Sequence, residues 1–272
     1  MSRSVARGNS LQAYESNIIG NAKCYGHSEC DAIIADHGRG DASPKLIANS
    51  GTLSRREVQK LIKSGAVKVN GITTKDRGFC VDPENVSVTV NGEEFLLRKY
   101  VYIMLNKPEG VVSATDDRTH KTVLDLVPEE LKRDGLFPAG RLDADTTGFV
   151  LITDDGDFAH RILSPKSHVS KTYVATLADP LSDEDIKMLE QGITLKDGYE
   201  CLPATINRLE NNNFEIIICE GKYHQIKRMF GAVGNKVLVL KRTKIGGLPL
   251  DIDLKEGFCR EITQEEIGAI TT

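Results

Sequence analysis

The sequence predicts an α+β fold, with a small αβ unit followed by a larger unit that has a mainly antiparallel mixed sheet flanked by helices. Short runs rich in β-branched and aromatic residues recur along the chain and are separated by turn residues. Segments with the helical spacing of apolar residues are interspersed among them, without a regular strand–helix–strand repeat. This order is typical of α+β proteins rather than of parallel α/β folds.

Length and composition agree with two folded units. The chain has 272 residues and 40% hydrophobic residues, which is enough for one large domain and a small one. It has no apolar run of membrane-spanning length, and its beginning lacks the apolar core of a secretory signal. The six cysteines include no Cys-x-x-Cys pair, which favours reduced thiols. We therefore expect a cytoplasmic protein.

Residues 1–44 are polar and mixed in charge, and we interpret them as an extension without an assigned role. They contain Cys24, His27 and Cys30, with His37 further along. The spacing of these residues matches no common zinc pattern, so no metal site is predicted there.

In the next segment, residues 45–98, the first clear signals are those of a helix. Ser54 and Glu57 form a capping box, and Gly65 is placed to end the helix. The apolar stripe consists of Val58, Leu61 and Ile62. The opposite face carries Arg55, Arg56, Lys60 and Lys63. The sequence therefore predicts a short amphipathic helix with one basic face.

Two Asn-Gly pairs then predict a small β unit. A strand at 67–69 leads into Asn70-Gly71, and Asn91-Gly92 joins strands at 86–90 and 95–97. A basic helix followed by such hairpins is compact enough to form a module of its own.

The larger unit, residues 102–268, is predicted from its apolar runs and helix caps. Strands are expected at 102–105, 149–153, 172–177, 204–209 and 214–219, and helices at 158–163, 182–190 and 223–233.

Charge is segregated along the chain. The net charge is −4, but residues 45–70 sum to +5 and residues 221–244 sum to +7, which leaves −16 for the rest. Two basic stretches on an acidic chain are typical of a protein that binds phosphates with one face.

The most reactive set of side chains lies at residues 140–148, where Arg141, Asp143 and Asp145 fall within five positions. Glycines at both ends indicate a loop, and an apolar strand follows it. A calcium loop requires a final glutamate and flanking helices, which are missing here. The pattern D-x-D-x-T also resembles the nucleophile loop of magnesium-dependent phosphotransferases. That loop should follow an apolar strand, whereas here it follows the segment 135–140, which contains two glycines and a proline.

Two resemblances bear on these motifs. Residues 45–71 resemble the small RNA-binding domain shared by a small-subunit ribosomal protein and tyrosyl-tRNA synthetases. That domain usually opens with Arg-Leu-Asp-Lys, whereas Ala-Ser-Pro-Lys stands at 42–45, which predicts an altered first helix.

The whole of residues 45–268 resembles the pseudouridine synthases, most closely the branch that modifies ribosomal RNA. The resemblance rests on AGRLDADTTG at 139–148, SKTY at 170–173 and GKYHQIKRMF at 221–230, in this order and at these separations. Lys107-Pro108 and the IGG triplet at 245–247 extend it.

This resemblance implies an RNA-modifying enzyme that isomerises uridine without a cofactor or metal. Asp143 would be the essential carboxylate, Tyr173 would stack on the flipped uracil, and Lys227 would be the basic partner of Asp143. Arg141 would hold the site open or fill the place of the extruded base. Asp145 would be structural and bond loop amides.

For RNA contacts we add Lys222 and Arg228 to the four cations of the predicted basic helix. We do not predict His224 and Gln225 as catalytic residues, because polar residues are common at the start of a helix. The implied partner is ribosomal RNA, in a small-subunit assembly intermediate, bound by a monomer. A non-catalytic RNA-binding or ribosome-assembly factor and a magnesium-dependent phosphotransferase remain as alternatives.

Overall fold

The computed structural model describes residues 41–49, 53–81, 86–95 and 97–271. Residues 1–40 of the predicted extension lie outside this range, and so do Cys24, His27, Cys30 and His37.

The described residues of the small unit form two helices and six short strands. In chain order they are β1 (Asp41–Ala42), α1 (Ser43–Asn49), α2 (Arg55–Ser64), β2 (Val67–Val69), β3 (Ile72–Thr73), β4 (Cys80–Val81), β5 (Val88–Val90) and β6 (Glu93–Phe95). Strands β3, β2, β5 and β6 form an antiparallel sheet in that order, and β1 pairs with β4. Helix α1 begins at Ser43, so a first helix is present although residues 42–45 differ from the usual Arg-Leu-Asp-Lys run.

Helix α2 has the ends that its sequence predicts. The hydroxyl of Ser54 accepts the backbone N–H of Glu57 at 3.3 Å, and the Ser54 N–H donates to the Glu57 carboxylate at 2.8 Å. Gly65 ends the helix with a left-handed φ of 80°. Val58 and Ile62 are fully buried in the core of the small unit.

Both Asn-Gly turns also form. Asn70 and Gly71 have φ values of 48° and 82°, and Asn91 and Gly92 have 54° and 88°. Two consecutive positive φ values match the right-handed twist of a hairpin. The strand predicted at 95–97 is found two residues earlier, at Glu93–Phe95.

The larger unit contains nine strands and four helices. They are β7 (Tyr102–Lys107), β8 (Phe137–Pro138), β9 (Thr147–Thr153), α3 (Gly156–Leu163), β10 (Lys171–Leu177), α4 (Asp183–Gln191), β11 (Thr205–Arg208), β12 (Asn213–Ile218), α5 (Gln225–Ala232), β13 (Val237–Ile245), β14 (Leu248–Pro249), β15 (Cys259–Glu261) and α6 (Gln264–Ile270).

These strands form one nine-stranded sheet. Its main order is β11-β12-β10-β13-β9-β7-β15, with β14 added to β13 and β8 added to β9. Every pair is antiparallel except β9 with β13, so the predicted mainly antiparallel mixed sheet is confirmed. Helices α4 and α5 cover one face, and α3 and α6 cover the other.

Strand β13 is the central feature that the sequence did not predict as a strand. It pairs with β10 on one side and meets β9 only at Thr147 and Gly148 on the other. Gly148 has a φ of 100°, and a Cβ there would lie 2.2 Å from the Arg242 carbonyl oxygen. Only glycine fits this close approach. The crossing brings the loop at residues 140–148, here called the acidic loop, against β13.

The segment between the two units is bonded to the larger one. Arg133 and Asp154 form a buried ion pair at 2.6 Å. Arg133 also donates to the carbonyl of Lys99 at 2.8 Å, and Asp154 accepts the N–H of Val101 at 2.9 Å. Among the described residues, no helix is long and apolar enough to span a membrane.

Candidate active site

A cavity of about 420 Å³ lies between the acidic loop, β10, β13 and the segment before α5. Its lining includes Arg141, Asp143, Lys171, Tyr173, Tyr223 and Arg242.

The end of β7 and the residues after it hold the acidic loop in place through hydrogen bonds. The ammonium group of Lys107 donates to the carbonyl of Ala144 at 3.1 Å, and the N–H of Gly110 donates to the same carbonyl at 2.8 Å. The hydroxyl of Ser113 lies 3.0 Å from both the N and the O of Leu142. The backbone on either side of Asp143 is therefore held in place.

Lys107 holds this position although it is fully buried. Burial lowers the pKa of its ammonium group to about 8, against the opposing effect of the Asp145 and Asp143 charges. A buried lysine requires fixed acceptors, and the loop carbonyls supply them.

Two basic side chains approach the two oxygens of Asp143. His224 Nε2 lies 3.4 Å from Oδ1, and Lys227 Nζ lies 3.3 Å from Oδ2. The carboxylate is 28% exposed and faces the cavity. Lys227 is also 2.5 Å from Asp145 Oδ1, so it is shared between the two aspartates.

This sharing sets the charge state of Lys227 and Asp145. Burial alone would lower the pKa of Lys227, but the hydrogen bond to Asp145 and the two carboxylate charges outweigh it, so the pKa is raised. The same hydrogen bond lowers the pKa of Asp145. We predicted bonds from the Asp145 side chain to loop amides. Its main partner is instead Lys227, because α5 brings this ammonium group over the loop.

The segment before α5 is held by a buried polar network. Glu220 is 3% exposed and accepts from Gln225 Nε2 at 2.6 Å. Gln225 Oε1 in turn accepts the N–H of Lys222 at 2.9 Å. His224 adopts a left-handed φ of 49° immediately before the helix. This conformation places its ring next to Asp143.

The inner wall of the cavity combines an aromatic ring with two buried cations. Tyr173 is 7% exposed and pairs across the sheet with Arg242, whose guanidinium lies 5.9 Å from the ring centroid. Arg242 Nε donates to the Phe149 carbonyl at 2.7 Å. Lys171 is also buried, and this burial, together with the charge of Arg242, lowers its pKa to about 8.

The rim of the cavity is more exposed. Arg141 and Lys222 both line it and are open to solvent. Lys222 Nζ lies 4.9 Å from the centroid of the Tyr199 ring. Arg228, predicted as a phosphate contact, forms an ion pair with Asp197 at 2.5 Å.

The structure therefore groups one part of the predicted site and separates another. Around the cavity it places Arg141, Asp143, Tyr173, Lys222 and Lys227. On α2, in the small unit, it places Arg55, Arg56, Lys60 and Lys63, all exposed.

Comparison with known proteins identifies the family. The family model for RNA pseudouridylate synthase matches residues 101–232, and the S4 domain model matches residues 44–87. An RNA pseudouridine synthase of Bacillus subtilis, described as uncharacterized, is 49% identical over 227 residues, which are 82% of this chain and 95% of the relative. The chain belongs to the RNA pseudouridine synthases.

Further relatives of this enzyme carry a more specific name. Ribosomal small subunit pseudouridine synthase A of Escherichia coli is 41% identical over 228 residues, covering 83% of this chain and 98% of the relative. A crystal structure of a pseudouridylate synthase superimposes with a TM-score of 0.60 at 41% identity, covering 84% of this chain and 98% of that chain. The phosphotransferase and non-catalytic alternatives are therefore wrong.

Four residues around the site were missed by the sequence reasoning or ranked low: Lys107, Lys171, His224 and Arg242. Lys107, Lys171 and His224 lie within quoted motifs, which was the available signal. No motif pointed to Arg242, because it lies in the basic stretch that we interpreted as a phosphate-binding surface.

Proposed function

We propose that this synthase converts a specific uridine of small-subunit ribosomal RNA into pseudouridine, with Asp143 as the reacting carboxylate. The observation that carries the proposal is the position of Asp143, which faces the cavity with one oxygen near His224 and the other near Lys227. The choice of RNA is supported by relatives in Escherichia coli and Vibrio vulnificus, both named ribosomal small subunit pseudouridine synthase A.

The reaction is an isomerisation, and its atoms balance within the nucleoside and water. The bond from uracil N1 to the sugar C1′ breaks, the base turns, and a bond forms from C5 to C1′. C5 loses its proton and N1 gains one. A carboxylate beside the sugar and base suits this chemistry, and Lys227 keeps positive charge next to it.

The target must leave its RNA stack to enter the cavity. Extrusion costs a few kcal/mol, and stacking on an aromatic ring returns about 1–3 kcal/mol. We assign this stacking to Tyr173, which lies in the cavity wall. We assign Arg141, at the exposed rim, to the place that the base leaves.

RNA outside the cavity is assigned to two basic surfaces. We propose residues 45–98 as an RNA-binding domain and 102–268 as the catalytic domain. Phosphate contacts are assigned to Arg55, Arg56, Lys60, Lys63, Lys222 and Arg228. Arg228 must exchange Asp197 for a phosphate to do this. The proposed substrate is a small-subunit assembly intermediate, modified in the cytoplasm by a monomer without a cofactor.

The test is nucleoside analysis of small-subunit ribosomal RNA after incubation with the full-length protein, with Asp143→Asn and with Asp145→Asn. We expect Asp143→Asn to lose activity on the order of 10⁴-fold. Asp145→Asn removes an ion pair in which Asp145 is 63% exposed, so about a fivefold loss is expected. Equal losses in the two variants would contradict the assignment, and no pseudouridine from the unmodified protein would overturn the proposed function.

A further inference from the structure

The ring of Tyr223 stands at the rim of the cavity and is 73% exposed. It stacks on the ring of His224, with centroids 3.8 Å apart and planes at 19°. His224 in turn approaches Asp143. The His224 ring therefore lies between Tyr223 and the reacting carboxylate of Asp143, and most of the Tyr223 surface is open to solvent.

The position of this ring is fixed by the fold. Gln225 Nε2 donates to the buried Glu220 carboxylate, and the N–H of Lys222 donates to Gln225 Oε1, so the backbone is held on both sides of Tyr223. The ring is thus pre-stacked, and little side-chain freedom is left to lose when a ligand binds. Because this ring lies at the cavity mouth in a fixed place, its open face is available for stacking with a ring of the ligand.

The charges around Tyr223 fit a nucleic acid. Lys222 is exposed beside it, and Arg141 lines the same rim. The proposed substrate has one further need at this place. When the target uridine is extruded, the base next to it loses a stacking partner, and a flat ring beside the cavity can replace that partner.

We propose that the Tyr223–His224 stack receives the base of a nucleotide adjacent to the target uridine. The inference rests on the proposed function, because it places the target uridine in the cavity. The platform binds the neighbouring base through its π-face, so it stabilises the flipped state for any base at that position.

The experiment first locates the modified uridine in a small-subunit RNA transcript. Synthetic RNA fragments containing that uridine are then prepared with every base present, or with an abasic nucleotide on either side of the target. Pseudouridine formation is measured under subsaturating, single-turnover conditions for the full-length protein, Tyr223→Ala, Tyr223→Leu and Tyr223→Phe. Phe258→Ala is the control, because Phe258 is another exposed aromatic (63%) and does not line the cavity.

On the intact fragment, Tyr223→Ala is expected to lower the second-order rate constant by about 5- to 150-fold, which corresponds to the loss of one stacked base. Tyr223→Leu should be similarly slow, Tyr223→Phe should restore most of the rate, and Phe258→Ala should leave it unchanged. With the abasic nucleotide on the stacked side, the unmodified protein should fall to the rate of Tyr223→Ala, and the variant should lose nothing further.

The proposal is overturned if Tyr223→Ala reacts as fast as the unmodified protein, or if its deficit is the same on both abasic fragments. Binding of a short oligouridylate, which needs no turnover, gives an independent result. A dissociation constant unchanged by Tyr223→Ala would count against the platform. Absence of pseudouridine from the unmodified protein would instead contradict the proposed function.

Discussion

The basic side chains of this enzyme form two sets that look alike in the sequence and differ in the structure. The exposed set, on α2, is Arg55, Arg56, Lys60 and Lys63. The internal set, around the cavity, is Lys107, Lys171, Lys227 and Arg242. Members of the exposed set have no ion pair with another described residue. Members of the internal set are buried or half-buried and bonded to carbonyls or carboxylates.

The difference follows from hydration. An exposed lysine keeps its water and acts at a distance on phosphates, with a strength that falls as salt rises. A buried lysine has lost its water and requires fixed acceptors. The exposed set therefore suits RNA binding, and the internal set suits positioning of the reacting groups. The following variants test this division, from the largest expected effect to the smallest.

Lys227→Gln should have the largest effect. It removes the ammonium group that Asp143 and Asp145 share, so both carboxylates lose a cation at 3.3 Å and 2.5 Å. Truncating one member of a close charge pair costs about 2–5 kcal/mol, and we expect the single-turnover rate to fall by about 30-fold or more. The control is Lys241→Gln, whose pair with Glu256 is longer, at 3.9 Å. A Lys227→Gln rate equal to that of the control would contradict the internal role.

Lys107→Met should lower the free energy of unfolding by about 1–3 kcal/mol, because it removes the hydrogen bond from the buried Lys107 ammonium group to the Ala144 carbonyl. Turnover should fall with it, because the acidic loop is no longer fixed. Urea denaturation measures the first effect, and pseudouridine formation measures the second. The exposed Lys68→Met in β2 is the control and should change stability by less than about 0.5 kcal/mol. Equal stability of the two variants would show that the Lys107 bonds are dispensable.

Lys60→Gln with Lys63→Gln should weaken RNA binding without changing stability. If each lysine meets one phosphate, the slope of log K against log salt should decrease by about 1.4 to 1.8. Filter binding over a salt series measures it. A matched pair on the larger unit, Lys187→Gln with Lys196→Gln, removes the same charge and should change the slope less. Identical slopes for both pairs would indicate a non-specific effect of charge.

The last test is the pH dependence of stability that Lys171 confers. Burial, together with the charge of Arg242, lowers the pKa of Lys171 in the folded protein to about 8, from the usual lysine value of 10.5. Between these values the unfolded chain binds more protons than the folded one, so stability rises with pH. The advantage of the unmodified protein over Lys171→Met should therefore grow from pH 7 to pH 10 in urea denaturation. An advantage independent of pH would contradict the depressed pKa.

Local signals in the sequence predicted much of the fold. The Ser54 capping box, the two Asn-Gly turns and the apolar run at 149–153 all formed the expected elements. Such features depend on a few neighbouring residues, which is why they can be read from one sequence.

The rest depended on contacts between distant residues. Strand β13 joins a short apolar run at 237–240 to three cations within 241–244, so the sequence favoured a basic surface over a strand. Its pairing with β9 and β10 makes it central. Burial of Lys107 and the left-handed turn at His224 are likewise set by packing. A sequence motif predicted Asp143 as the reacting carboxylate, and this role stays a prediction. The sharing of Lys227 between two aspartates needed coordinates.

Single-turnover pseudouridine formation as a function of protein concentration tests most directly whether binding and chemistry are divided between the two regions. The rate and the dissociation constant for RNA should both be measured for Asp143→Asn and for Lys60→Gln/Lys63→Gln. We predict that Asp143→Asn binds RNA with an unchanged dissociation constant and reacts on the order of 10⁴-fold more slowly at every concentration. The lysine variant should reach the full rate, at higher protein concentration. A maximal rate of Asp143→Asn close to that of the unmodified protein, or a lowered maximal rate in the lysine variant, would contradict the division.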